Sequence, residues 1–277
     1  MDLKQIESIL RNSGSANNLV LKKEIEILKS KAIDRQDEEL ANKLWCLENI
    51  NEIQFLFISA FNNLKKKEYY KAWSDFSYID IKLCYFREHS ENYYTDSDEY
   101  GLLFIEEYSR KFQKLFPYKY FLSRESIIKK QRCSVCGTEI TIRKKCKHSV
   151  GELYMGEMCV RIVSELQFLA IALVRDPFDK YAVIFPQDLE YNYGALEELL
   201  NLLETPYEKW GLTVIKRIGE KFVDARRNGL YPCGSEKKYK KCCKNTQKEL
   251  IDHYAIKLNQ NKGNNSILRY KEFGTWK

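Results

Sequence analysis

Glycine, proline and histidine are scarce in this sequence, with 12, 5 and 3 occurrences among 277 residues. No glycines follow the spacing Gly-x-x-x-x-Gly-Lys, which excludes the common phosphate-binding loop. Three histidines leave few candidates for a histidine-based catalytic triad. The sequence therefore favours a binding protein over an enzyme.

Long apolar runs are also missing. Because no stretch of about 18 apolar residues is present, we expect no membrane-spanning helix. The opening residues, MDLKQIESIL, include an acidic residue and no apolar core, so we expect no secretory signal. The sequence predicts a cytoplasmic protein without a membrane partner.

The positive charge of the chain is moderate and unevenly distributed. A net charge of +7 permits contact with nucleic acid or ribosomes without demonstrating either. Between residues 221 and 244, eight basic residues stand against two acidic ones. With 44% hydrophobic residues, the chain has enough apolar side chains for a packed core.

Cysteine is abundant, with nine in the chain. Because reducing compartments rarely maintain structural disulfides, clustered thiols in a cytoplasmic protein indicate metal or redox chemistry. Cys46 and Cys84 stand alone among apolar helical residues, and we interpret both as small core side chains. The other seven form two clusters, one central and one near the C-terminus.

The central cluster lies in the segment CSVCGTEITIRKKCKHSVGELYMGEMC. Two residues between Cys133 and Cys136 let both sulfurs face one ion across a tight turn, and the glycine that follows suits such a turn. If the segment around Cys146 and His148 is a strand, these two residues share a face and point at the same ion. This pattern predicts a zinc site.

Cys159 is a fifth candidate for the four places of a tetrahedral zinc site. It would lie in the first turn of a helix through VRIV, where the helix N-terminus favours a thiolate. One ligand set is Cys133, Cys136, Cys146 and His148. Another replaces Cys146 or His148 with Cys159 and resembles a treble-clef finger. Spacing alone leaves both sets open.

Two other readings of the central cluster compete with zinc. The thiols are either ordinary buried side chains or a redox Cys-x-x-Cys pair, but the pair does not follow a strand and open a helix as the redox motif does. If four protein ligands fill the site, it is closed to water. A closed zinc site organises the fold rather than catalysing a reaction.

The second cluster lies in YPCGSEKKYKKCC, residues 231–243, and resembles the SEC-C motif. That short zinc-binding module occurs at the C-terminus of the preprotein translocase motor ATPase and in other bacterial proteins. The residues in register with it are Pro232, Cys233, Gly234, Ser235, Lys237, Lys238, Tyr239, Lys240, Lys241, Cys242 and Cys243. Tyr231 stands where the family has its first cysteine, and Glu236 replaces a glycine.

The SEC-C resemblance implies a zinc site with Cys233, Cys242 and Cys243 as ligands. His253 is a conceivable fourth ligand, although its segment, ELIDHYAIKL, is typical of a helix with a surface histidine. The resemblance also implies docking to a protein or a ribosome. Lysines suited to an acidic partner or to phosphates flank the turn, although such lysines also solvate small domains: Lys237, Lys238, Lys240 and Lys241.

The pattern along the chain predicts an α+β fold with a helical N-terminal region. Two amphipathic helices within residues 42–90 form a hairpin, and AFNNLKKKEYYKAWSDF resembles one tetratricopeptide-type hairpin. Short strands and a treble-clef-like finger follow. The predicted segments are a helical region (1–117), a zinc finger (118–165), a mixed α/β segment (166–222), a SEC-C-like module (223–246) and a polar, partly flexible tail (247–277).

Three functional hypotheses remain from the sequence. The first is a zinc-binding, non-enzymatic adaptor of a bacterial cytoplasm that docks a protein or ribosomal partner. The second is a nucleic-acid-binding regulatory or phage-defence-related protein. The third, and weakest, is a metal-dependent nuclease that uses Asp176 and Asp179, because an Asp-Pro turn with a solvated Asp–Lys pair explains that segment more simply.

Overall fold

The computed structural model describes residues 1–12, 18–90, 93, 97–229, 237–258 and 267–276. Helices and strands are both well represented, so the predicted α+β class is confirmed. The chain forms two compact units, residues 1–114 with 119–184 and residues 115–118 with 185–277. None of the helices among these described residues is long and apolar enough to cross a membrane.

The first unit begins with a helical region, as predicted. Its helices are α1 (Leu3–Arg11), α2 (Asn18–Asp34), α3 (Glu38–Lys65), α4 (Tyr69–Ser90) and α5 (Leu102–Leu115). The side chain of Asp37 accepts a hydrogen bond from Leu40 N and caps the start of α3. The apolar stripe predicted along this helix is buried, which gives α3 its packing face.

Helices α3 and α4 form the predicted helical hairpin. The chain turns at Lys66 and Lys67, and Lys67 adopts a positive φ of 61°. Phe57 of α3 contacts Phe76 of α4 edge to face, with ring centroids 6.5 Å apart. Gln54 of α3 donates hydrogen bonds to Leu10 O and Tyr100 O, so one buried amide ties two further segments to the hairpin.

A long two-stranded ribbon follows the helices. Strands β1 (Phe121–Cys133) and β4 (Arg161–Val174) pair antiparallel, from Phe121 opposite Val174 to Cys133 opposite Arg161. At its base, the Phe121 ring stacks on Trp73 of α4 with centroids 6.1 Å apart. The short strand expected before Cys133 is a long one, because it finds a full-length partner in β4. The short strand expected in TEITIRKKC, residues 138–146, does not form, and Glu139 makes a single bridge with Arg132.

A small hairpin, β2 (Leu153–Tyr154) with β3 (Glu157–Met158), lies in the connection between β1 and β4. Its turn fits against α3: Gly156 N donates to Asn42 Oδ1 at 2.7 Å. A Cβ at Gly156 would lie 2.8 Å from Ala41 O, and its φ is 75°. His89 Nε2 of α4 donates to Gly151 O at 2.7 Å. The connection is therefore fixed to the helical region at two points.

In its described residues, the second unit has a three-stranded antiparallel sheet and two short α-helices. Its elements are α6 (Gly194–Leu200), β5 (Trp210–Ile218), α7 (Glu220–Val223), β6 (Leu250–Leu258) and β7 (Ile267–Glu272), with strand order β5-β6-β7. Residues 247–277 were predicted as a polar tail, but β6 and β7 lie in this segment. Buried Ile256 and Leu258 explain why, because the central strand β6 pairs on both sides.

Candidate metal centre

The tip of the ribbon carries the central cysteine cluster. Cys133 is the last residue of β1, and Gly137 N donates to Cys133 O at 3.0 Å to close the tight turn that contains Cys136. Gly137 has a φ of 69°, a conformation that glycine adopts without strain. Cys146 and His148 reach the same place from the loop that precedes β2, and not from the strand that was expected for them.

Four ligand atoms gather at this tip. One atom from each of Cys133, Cys136, Cys146 and His148 lies within 4.8 Å of the others, the geometry of a possible metal-binding cluster. Cys133 Sγ lies 3.8 Å from His148 Nδ1. Zinc–sulfur bonds of about 2.3 Å at tetrahedral angles place neighbouring ligand atoms just under 4 Å apart, so the residues fit a tetrahedral zinc ion.

The surroundings of two thiols favour the thiolate that a metal requires. Burial raises the pKa of Cys133, but backbone N–H groups of Cys136 and Val135 hydrogen-bond its sulfur and bring the pKa down to about 6. A hydrogen bond with Thr138 lowers the pKa of Cys136, whose Sγ lies 3.2 Å from Thr138 Oγ1. Donors placed around a sulfur stabilise its charged form.

Two residues that sequence reasoning missed hold His148 in position. The Tyr154 ring meets the imidazole edge to face, with centroids 4.6 Å apart, and its hydroxyl accepts a hydrogen bond from Ser149 N. Arg161 Nη2 donates to His148 O at 3.2 Å. Neither partner has a sequence signal, because both contacts depend on how the loop folds back on β2 and β4.

Cys159 lies beside the cluster rather than within the group of four. Its buried Sγ is 3.7 Å from Cys133 Sγ, and burial raises the pKa of its thiol. The helix expected after Cys159 is absent: strand β4 starts at Arg161, because β-branched Ile162 and Val163 continue a paired ribbon. A treble-clef arrangement, with a ligand on a helix, is therefore not formed here.

The two isolated cysteines differ in their environments. Cys46 is fully buried, and burial raises its pKa to about 12, as expected for a core thiol. Cys84 is exposed on α4, which corrects the prediction that it is a core residue. It directly follows Leu83, which is 3% exposed, and the rotation of about 100° per helical residue turns Cys84 away from the core.

The SEC-C-like segment is described in part. Cys233 lies outside the described residues, as do Tyr231 and Glu236. Cys242 and Cys243 are described, with sulfurs 3.7 Å apart. Among the described residues, three or more possible metal ligands cluster only in the central group.

The described part of this segment has a small core and a charged surface. Phe222, Tyr239 and Cys243 are buried together, and the Tyr239 hydroxyl donates to Glu249 Oε1 at 2.5 Å. The predicted docking side chains are all exposed: Lys237, Lys238, Lys240 and Lys241.

His253 is neither on a helix nor at the surface, contrary to the sequence reading. It lies in strand β6, is 8% exposed, and its Nδ1 donates to Ile251 O at 3.0 Å. Strand β6 pairs with Ile215 on one side and Glu272 on the other at this position. The sheet thus determines the position of this histidine.

The acidic segment considered for a nuclease site makes contacts within the fold. Asp179 accepts a hydrogen bond from the Tyr181 hydroxyl, and Lys180 Nζ pairs with Asp80 at 2.6 Å. Trp73 Nε1 donates to Lys180 O. Asp176 is exposed. These contacts fix the segment against α4.

Comparison of the chain with known protein families, curated proteins and solved structures finds no match.

Proposed function

We propose that this protein is a zinc-binding, non-enzymatic adaptor of a bacterial cytoplasm, with one structural zinc ion at the tip of the ribbon. The observation that carries the proposal is the group of Cys133, Cys136, Cys146 and His148 within 4.8 Å. Four protein ligands leave no open coordination position for water. Such a site contributes folding energy rather than chemistry.

The contacts of the finger with the helical region support a structural role for this ion. Gly151 and Gly156, which meet His89 and Asn42, lie in the connection between the ligands and β4. An ion bound by the four ligands would therefore also hold in place the part of the β1–β4 connection that contacts α3 and α4. Zinc would stabilise the finger and its place on the helices together.

Metal analysis of the purified full chain tests the zinc assignment. We expect Cys136→Ser to lose about one zinc per chain relative to wild type, whereas Cys84→Ser, an exposed cysteine outside the cluster, keeps the wild-type content. Equal zinc content in all three proteins would rule out the central site. Circular dichroism of each variant shows whether the helices remain folded.

The adaptor role depends on the four exposed lysines of the SEC-C-like segment. They surround buried Tyr239, which donates to Glu249 and holds a short 3-10 turn (Tyr239–Lys241) in place. Ammonium groups on a fixed turn attract acidic protein surfaces and phosphates. A protein partner or a ribosome is therefore the binding partner that we propose.

Ribosome co-sedimentation at physiological salt tests this docking surface. We expect K237Q/K238Q/K240Q/K241Q to reduce co-sedimentation about tenfold or more. The control K65Q/K66Q/K67Q/K71Q removes the same charge from exposed and partly paired lysines at the α3–α4 turn. Equal loss in both variants would indicate general electrostatic attraction and contradict a dedicated surface.

A second candidate function is nucleic-acid binding at the finger. An open groove of 800 Å³ lies between β1 and the loop after Cys136, and Lys129, Arg143 and Lys145 are among its lining residues. Three cations without a carboxylate in the lining suit a phosphate backbone. This candidate predicts binding to random-sequence RNA or DNA that weakens as salt is added. The slope of log affinity against log salt concentration should become shallower by about 2 to 3 in K129Q/R143Q/K145Q. Weak binding that all variants share would exclude it.

A further inference from the structure

One face of the β1–β4 ribbon is apolar and exposed. Large side chains cover it, and between 39% and 64% of each is accessible. We call this surface the ribbon face, and its apolar members are Leu122, Ile128, Leu166, Phe168, Ile171 and Leu173.

The strand register places these residues together. Leu122 lies opposite Leu173, Ser126 opposite Phe168 and Ile128 opposite Leu166. Alternate residues of β1 share a face, and cross-strand partners share it with them. The register shift between Glu125 and Ser126 keeps Phe168 on this face. A groove of 340 Å³ on the same side is lined by Leu122, Leu166 and Phe168.

The opposite face of the ribbon has a different character. Its cross-strand pairs include Ser123 with Ala172 and Glu125 with Ala170, which are small or charged, and Ile127 with Gln167, of which Ile127 is 44% exposed. The ribbon face thus carries more of the large apolar side chains than the opposite face does. A two-stranded ribbon alone is marginally stable in water, and an amphipathic one gains stability when its apolar face is covered.

Both ends of the ribbon are held in place. Phe121 stacks on Trp73 at the base, and the cysteine cluster lies at the tip. Leu122 N also donates to Ala182 O at 2.8 Å, which adds a backbone contact near the base. The ribbon face therefore belongs to a strand pair that is fixed at two ends, and its exposure is not that of a frayed terminus.

The charge of this face suits an identical partner. Arg124 is the one charged residue among the β1 and β4 positions that share it, and Arg124 Nη2 lies 3.8 Å from Asp179 Oδ2. The Arg124–Asp179 pair leaves each copy of this surface without net charge, so two copies meet without strong like-charge repulsion. A nucleic acid or an acidic peptide would find no complementary charge here.

The exposed area is sufficient for a small specific interface. About half of the surface of each of the six large side chains is accessible to solvent. Together with fully exposed Phe178 beside the groove, they offer roughly 500 Å² of apolar surface per copy. Two copies would bury roughly 1,000 Å² in total, the lower limit for a specific interface.

We propose that a second copy of this chain packs on the ribbon face, face to face across a twofold axis. This proposal goes beyond the adaptor role and does not depend on it.

Sedimentation velocity of the zinc-loaded full chain between about 1 and 100 μM tests the proposal. We expect a reversible dimer in wild type. Phe168→Glu places a carboxylate in each half of the interface, and we expect the dissociation constant to rise about a hundredfold or more. The matched control is Leu19→Glu, an equally drastic change at a 70% exposed position of α2, which should leave the dimer intact.

A second measurement covers the case in which Phe168→Glu does not fold, as judged by zinc content and circular dichroism. A photo-crosslinking amino acid at Ser126, in the centre of the face, should link two copies in the otherwise unchanged chain. A monomeric wild type up to 100 μM would overturn the proposal. A dimer that survives Phe168→Glu, or crosslinks that never join two copies, would also overturn it.

Discussion

At the residue scale, the protonation state of the Cys133 thiol contributes to how the cluster responds to pH. Its pKa falls from 9.0 to about 6 because backbone N–H groups of Cys136 and Val135 outweigh the effect of burial. The folded chain thus favours the thiolate. In the metal-free protein this contribution to stability is complete above pH 9.0, the unfolded value, and is lost as the pH falls towards 6.

Zinc retention should follow the same direction. Protons compete with zinc for thiolates, so we expect zinc to leave progressively as the pH falls, with the Cys133 thiolate resisting protonation until about pH 6. A chromophoric chelator that reports free zinc measures the release as a function of pH. Release that begins well above pH 7 would show that the N–H donors do not stabilise this thiolate.

Gly156 is a second residue with a measurable role. Gly156→Ala places a methyl group 2.8 Å from Ala41 O at a φ of 75°, and we expect the free energy of unfolding to fall by about 1–3 kcal/mol. The control is Gly151→Ala, which has a φ of 90° but nothing within 4 Å of the new methyl. Urea denaturation compares the two. Equal losses would mean that contact with α3 does not matter.

At the element scale, the finger and the helical hairpin differ in what holds them together. The α3–α4 hairpin has its own buried apolar stripe, whereas the backbone hydrogen bonds of the tip, such as Cys159 N to Glu152 O, close a loop with little apolar core. The hairpin should therefore keep its structure without metal. We expect the tip, in contrast, to depend on the proposed zinc ion for its closure.

Hydrogen exchange with and without a zinc chelator measures this difference. We expect amides of residues 133–159 to exchange at least tenfold faster after chelation, while the central amides of α3 keep their protection. Uniform acceleration in both regions would show that zinc stabilises the whole unit rather than the finger. Unchanged exchange at the tip would argue against a structural metal.

The elements also show which features local sequence reveals. Helical periodicity predicts α3 and α4 because each helix buries one apolar stripe. Helix α5 ends at Leu115, two residues before Pro117, a residue that cannot continue a helix. The apolar run of β4 lacks alternation, so its local pattern does not distinguish a strand from a helix. Its state depends on β1, a partner about 40 residues away. The register, rather than the local pattern, makes it a strand.

At the scale of the whole molecule, the spacing of the thiols predicts where the possible metal-binding cluster lies but not which residues support it. The turn of Cys-x-x-Cys-Gly depends only on residues that are neighbours in the sequence, so the sequence predicts the turn at Cys133 and Cys136 directly. Spacing alone leaves open which four of the five candidate residues bind the ion. Tyr154 and Arg161 contact His148 only because β2, β3 and β4 return to the tip, and no local pattern encodes that return.

The second unit illustrates the same limit. Residues 250–258 have a mixed polar and apolar pattern that is typical of a flexible or helical segment. In the structure this segment is β6, the middle strand of three, with Trp210 opposite Leu258. Long-range pairing therefore overrides the local pattern, and it buries His253 at the same time.

X-ray absorption at the zinc edge tests the central claim most directly. The protein is best studied as the C242S/C243S variant, in which a second thiol site cannot contribute to the signal. The account predicts one zinc per chain, surrounded by three sulfurs at about 2.3 Å and one nitrogen at about 2.0–2.1 Å. Four sulfurs would place Cys159 in the site instead of His148, and a shell of oxygen and nitrogen alone would contradict the thiolate cluster altogether.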